Sequence, residues 1–126
     1  MNKTISTPDA PKPAGPYSQA IRAGSTLYCA GHIPIDPKTG ELVADDIATQ
    51  TRRVLENLRA VLAAERLGLT HVVRTTVFLA DMRDYATMNE AYASFFSARA
   101  PARTTVEVAA LPRGARIEID AVAVAE

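Results

Sequence analysis

The sequence predicts a two-layer fold in which one β-sheet is covered on one face by two α-helices. Two stretches carry apolar residues at helical spacing, and five short runs read as strands, Val72 to Leu79 being β-branched and apolar. They follow one another as strand, strand, helix, strand, helix, strand, strand. The 126 residues suit a single domain spanning residues 1–126, with no repeat, linker or low-complexity tract to divide it. A hydrophobic share of 48% against 22% charged residues is ordinary globular composition.

Pro8, Pro11, Pro13 and Pro16 make the first sixteen residues an extended lead-in rather than a helix. Ser18 to Ala23 and Thr26 to Ile33 then read as two strands, and Gly24-Ser25 between them is a hairpin signal. Pro34, Pro37 and Gly40 punctuate the loop that follows. Ile47, Thr51, Val54, Leu55, Leu58, Val61 and Leu62 form the apolar stripe of a long helix. Asp45-Asp46 suits its N-cap, and Gly68 is its expected stop.

Val72 to Leu79 reads as a strand with Val73, Thr75, Val77 and Leu79 on one face. Asp81 or Asp84 caps a second helix whose stripe is Tyr85, Met88, Tyr92, Phe95 and Phe96, closed by Pro101. Thr104 to Ala110 and Arg116 to Ala125 are the last strands, joined by a turn at Leu111-Pro112-Arg113-Gly114. Two helices cover one sheet face only. On the other, Val122 and Val124 share their side of the strand with Glu118 and Asp120, and such residues need cover. Another copy of the chain would supply it, so a homo-oligomer is expected.

Charge and motifs exclude several function classes. Fourteen basic residues balance fourteen acidic ones, leaving no electrostatic footprint for nucleic acid or an anionic membrane. A single cysteine, Cys29, forms no disulfide framework within the chain. Met1 to Ile5 precede no apolar stretch, and no apolar run exceeds five residues. A cytoplasmic protein without membrane contact is expected. No Gly-x-Gly-x-x-Gly, P-loop or Gly-x-Ser-x-Gly elbow occurs, so nucleotide cofactors lack their usual cradle. Cys29 and His32 have a spacing that metals use, but no second pair accompanies them and no metal is expected.

Two residues stand out chemically. Arg103, after Pro101-Ala102, offers the planar fork that grips a carboxylate or phosphate. Glu118, between Ile117 and Ile119, would exchange protons nearer neutrality if partly buried. By alternation alone the same residues read as a surface arginine and the polar half of a strand, and spacing does not separate the two readings.

The motifs go further. Gly15-Pro16-Tyr17-Ser18-Gln19-Ala20, Gly31-His32-Ile33-Pro34, Gln50-Thr51-Arg52 with Asn57-Leu58, and Thr75-Thr76-Val77-Phe78-Leu79 resemble segments of the reactive-intermediate deaminase (Rid/YjgF) family. So do Asn89-Glu90-x-Tyr92 and Phe95-Phe96. The most specific match is Pro101-Ala102-Arg103-Thr104-Thr105-Val106-Glu107-Val108, followed by Ile117-Glu118-Ile119. The resemblance implies an α+β fold like the small chorismate mutases, a mixed sheet, and a homotrimer whose sheets form a barrel-like core with sites between subunits. It implies hydrolysis of 2-enamine or 2-imino acids, such as 2-iminopropanoate and 2-iminobutanoate, to 2-keto acids and ammonia, without metal or organic cofactor.

Residue by residue, the resemblance makes Arg103 the binder of the substrate carboxylate and Glu118 the acid that positions water and assists proton transfer. Tyr17 would line the cleft, Asn89 would stand near it, and Gly31 and Thr105 would offer backbone groups. Ala30 stands where deaminating members carry a serine, His32 where they carry a glutamine, and Thr105 where many carry a cysteine. Loss of the serine hydroxyl at Ala30 keeps a second expectation open, a non-catalytic trimeric module that binds small carboxylates or keto acids.

Overall fold

The computed structural model describes residues 2–125 as one six-stranded mixed sheet and two helices. The strands are β1 (Lys3–Ile5), β2 (Ala20–Ala23), β3 (Thr26–His32), β4 (Val72–Leu79), β5 (Ala102–Glu107) and β6 (Ile117–Val124). The helices are α1 (Ile47–Ala63) and α2 (Tyr85–Ala93). The sheet order is β1-β2-β3-β6-β4-β5, with β4–β5 parallel and every other pair antiparallel. The expected α+β class and order of elements hold, with one strand added inside the lead-in. Residues 3–5 precede the first proline, keep their amide protons and pair with β2.

Local chemistry explains most boundaries. Gly24 takes φ 62 and Ser25 does not turn positive, so the two-residue β2–β3 hairpin has the glycine-first pattern that matches strand twist. Asp46 caps α1 by accepting from the Thr49 amide at 3.2 Å. The helix does not run to Gly68, which is extended. It ends at Ala63, and the chain is turned away soon after by a left-handed residue, Arg66 at φ 59. The Leu67 amide donates to the Leu62 carbonyl and that of Arg66 to Ala63, each at 3.0 Å, which satisfies the last carbonyls.

The second helix is also shorter than its apolar stripe. Ser94 Oγ donates back to the Ala91 carbonyl at 2.7 Å, and α2 stops at Ala93, well before Pro101. Phe96 follows in a turn yet still packs on Tyr92, ring centres 4.7 Å apart. Asp81 caps the short turn before α2, whereas Asp84 grips Arg116 through Oδ1 at 2.9 Å and Oδ2 at 3.2 Å.

The core lies between the helices and one sheet face. Val54, Leu55, Leu58, Val61 and Leu62 of α1 pack with Leu27, Val77, Leu79, Ile117 and Ile119 of the sheet. Each such side chain contributes about 1.5–3 kcal/mol on burial. On β4 the core positions are Val72, Thr75, Val77 and Leu79; the expected Val73 is exposed. A bulge opposite β6 between Val72 and Arg74 inserts that residue and turns it outward. The other face carries Glu118, Asp120, Val122 and Val124, all half-buried, with Tyr28 and Val106 exposed. No helix among the described residues is long and apolar enough to cross a membrane.

A non-glycine residue in the left-handed region costs about 1 kcal/mol. Arg66→Gly should therefore stabilise the fold by about that amount in urea unfolding; an unchanged or lower midpoint would show that Arg66 carries no such strain.

Candidate functional site

A bulge in β3 shapes the site. Cys29 pairs with Ala121 and His32 with Ile119, so Ala30 and Gly31 together face the one residue Asp120. The extra residue kinks the strand and aims its backbone at a cleft of about 480 Å³. Tyr17, Ala30, Gly31, Ile33, Ile35 and Glu118 line this cleft, with Pro11 and Pro112 at its walls.

Gln19 fixes the wall formed by the lead-in. It is buried, its Nε2 donates to the carbonyls of Thr7 at 3.1 Å and Pro11 at 2.9 Å, and its Oε1 accepts from the Thr7 amide at 2.7 Å. A proline-rich segment without regular partners is thereby tied to the sheet. Tyr17, half exposed, accepts from the Ala14 amide at 3.2 Å through its hydroxyl.

Glu118 lies over Gly31 so closely that a methyl group added there would overlap its Oε2. The missing side chain makes room for the carboxylate. Burial, and secondarily the charge of Asp120, push the Glu118 carboxyl above its ordinary value. Asp120 is itself held by the Thr76 amide, which donates to Oδ1 at 3.1 Å.

Arg103, Asn89 and Thr105 are not in that cleft. Arg103 pairs with Thr75 across β4–β5, and Thr75 pairs with Ala121 on the helix side of the sheet. Glu118 pairs with Phe78 on the opposite side. The arginine and the acid therefore occupy opposite faces of one sheet. The Arg103 guanidinium carbon stands 4.8 Å from the Tyr92 ring centre and 5.6 Å from that of Tyr85, and Nη2 donates to Tyr85 Oη at 3.2 Å. Among the described residues no carboxylate pairs with it.

Beside it, Asn89 Oδ1 and Thr105 Oγ1 are buried without a hydrogen-bond partner. Asn89 lies one helical turn after Tyr85, and Thr105 shares a strand face with Arg103. An unpaired cation next to two orphan polar atoms is the local signature of a place that a ligand or partner completes. Tyr85 and Tyr92 as neighbours of Arg103 are absent from the sequence expectations, which place both in an apolar stripe. The signal was Asn89, a polar residue within that stripe.

The bulge also turns His32 onto the core side beside Ile119. Its Nε2 has no hydrogen-bond partner among the described residues, and burial lowers its pKa to about 4. The Cys29 thiol is buried too and pushed up to about 12, chiefly by burial, so it stays protonated. No group of three or more metal-ligating side chains occurs among the described residues.

Known proteins share this architecture and much of the sequence. A family model described as endoribonuclease L-PSP matches residues 7–125. Over 126 residues the chain is 56% identical to a RutC family protein of Pyrococcus horikoshii, covering 100% of both. It is 48% identical to a Salmonella typhimurium protein named 2-iminobutanoate/2-iminopropanoate deaminase, across 98% of each chain. The crystal structure of E. coli TdcF with bound serine superposes at a TM-score of 0.95 with 42% identity, covering 98% of this chain and 99% of that one.

Because the folded His32 resists protonation, the unfolded chain takes up its proton first as pH falls below 6.5, and the native state loses stability down to about pH 4. The loss amounts to roughly 3 kcal/mol. Urea unfolding at intervals across this window should show it, and His32→Gln should flatten it; an equally steep decline in that variant would place its origin elsewhere.

Proposed function

This chain belongs to the endoribonuclease L-PSP (YjgF/Rid) family, and on that premise we propose that it hydrolyses reactive 2-imino or 2-enamine acids to 2-keto acids and ammonia. The observation that carries the reading is the partly buried Glu118 carboxylate held over Gly31 in an open cleft. A carboxylate with a raised pKa can take a proton from water and return it nearer neutrality.

The chemistry asks little more. The imine carbon is already electrophilic, so the barrier is lowered mainly by orienting water against it. On the protonated imine, Glu118 accepts a proton as the water oxygen bonds to that carbon, giving a neutral carbinolamine. Returning that proton makes nitrogen an ammonium leaving group; the C–N bond then breaks and ammonia leaves as the hydroxyl proton passes to Glu118 and the C=O bond forms. Arg103 grips the substrate carboxylate through its fork, and Tyr17, Ala30, Gly31, Asn89 and Thr105 surround the ligand.

Within one chain these two groups are on opposite sheet faces, so the complete site needs a second copy. We assign the assembly as a homotrimer in which the open face, with Tyr28, Val106, Val122 and Val124, packs against its neighbours. Each neighbour's Arg103, Asn89 and Thr105 then close a Glu118 cleft. The unpaired Arg103 charge and the orphan oxygens beside it support this. Ala30 supports the alternative, a trimeric binder of small carboxylates without turnover, because it brings no hydroxyl to the cleft. The neutral charge balance argues against a polyanionic RNA substrate.

A threonine dehydratase supplying fresh 2-iminobutanoate separates these readings. The protein should accelerate 2-oxobutanoate release, and Arg103→Ala and Glu118→Gln should each lower that acceleration by roughly 100-fold or more. A wild-type protein that leaves the release rate unchanged is a binder, and an Arg103→Ala variant with full activity would refute the role given to Arg103.

A further inference from the structure

The surroundings of Arg103 point to one more recognition residue. An arginine side chain on an edge strand normally samples many rotamers, and holding it ready for a ligand requires contacts made before the ligand arrives. Here two aromatic rings flank the guanidinium. Tyr92 is the fixed one: buried, hydrogen-bonded through its hydroxyl to Thr75 Oγ1 at 2.7 Å, and packed on Phe96. Tyr85, the first residue of α2, is the outer one and is 39% exposed. Its ring contributes little to the core.

The Tyr85 hydroxyl is engaged in a particular way. It lies 3.2 Å from Arg103 Nη2, whose N–H can only donate, so the phenolic oxygen accepts. A hydroxyl that accepts from a cation retains its own proton, and that proton is polarised by the neighbouring charge. A carboxylate drawn to the remaining guanidinium N–H groups would meet this O–H as a further donor. Asn89, one turn further along α2, keeps a buried and unpartnered Oδ1 on the same side.

Resting on the assignment of Arg103 as the carboxylate grip, we infer that Tyr85 is part of that grip. Its ring restrains the guanidinium together with Tyr92, and its hydroxyl donates to the substrate carboxylate. The carboxylate is the same in imino acid and keto acid and does not change charge during hydrolysis. Tyr85 therefore stabilises ground state and transition state alike, and its loss acts on binding rather than on the chemical step.

The test measures 2-oxobutanoate binding by calorimetry and imine hydrolysis by the coupled assay, for wild type, Tyr85→Phe and Tyr85→Leu. Tyr85→Phe keeps the ring and loses only the hydroxyl, so Kd and KM should rise together by about three- to ten-fold. The turnover number kcat should stay within about two-fold. Tyr85→Leu loses the ring as well and should weaken both by a further two- to five-fold or so. A Tyr85→Phe protein that binds 2-oxobutanoate as wild type does, or loses kcat at constant KM, overturns the inference. A wild-type protein that binds no 2-oxobutanoate overturns it as well. Binding that weakens in Tyr85→Phe, in a protein that turns over no imine, upholds the grip and refutes the deaminase reading alone.

Discussion

Strand β6 pairs with β3 on one side and β4 on the other, and each of its residues has only two directions in which to point. Ile117, Ile119, Ala121 and Ala123 point to the helices and are nearly or fully excluded from solvent. Glu118, Asp120, Val122 and Val124 are therefore committed to the other face. A register slip of one residue would bury two carboxylates and expose the isoleucines, so the hydrophobic core locks the position of the acid. Stability of the fold and placement of Glu118 follow from the same alternation.

That arrangement has a cost, since no helix among the described residues covers one face of the sheet. Tyr28 and Val106 remain exposed there, while Arg103, on the helix side of the edge strand, makes cation–π contacts with two tyrosines and has no acid paired with it among the described residues. The β3 bulge adds the remaining feature. By setting two residues against Asp120 it brings Gly31 under Glu118 and turns His32 inward. An open apolar face, an acid in a cleft and an unpaired arginine at the edge are what a chain needs if its site is completed by a copy of itself.

Much of this was legible in the residues. The α1 stripe from Ile47 to Leu62 is buried at each expected position, because a 3.6-residue period leaves little choice of face. Alternation along residues 117–124 and the Gly24-Ser25 hairpin were equally clear. Bulges were not: single inserted residues put Val73 outside the face expected for it and His32 on the core side, and insertion depends on the partner strand rather than on local sequence. The turn after α1 at Arg66 was hidden because arginine rarely adopts the left-handed conformation that Gly68 would have accepted freely. Arg103 and Glu118 could be singled out as chemistry-bearing residues, but their separation onto opposite faces follows from strand order, which pairs β6 with β3 and β4 across long stretches of chain.

Mixing the two variants tests the proposed shared site most directly. Arg103→Ala and Glu118→Gln proteins are unfolded together, refolded as a mixture, and assayed for 2-iminobutanoate hydrolysis beside each variant refolded alone. With Arg103 and Glu118 drawn from different copies, random reassortment creates intact sites at about one in four subunit junctions, so roughly a quarter of wild-type activity should return. Were both residues supplied by one chain, every site would keep a defect, and a mixture no more active than its components would contradict the account.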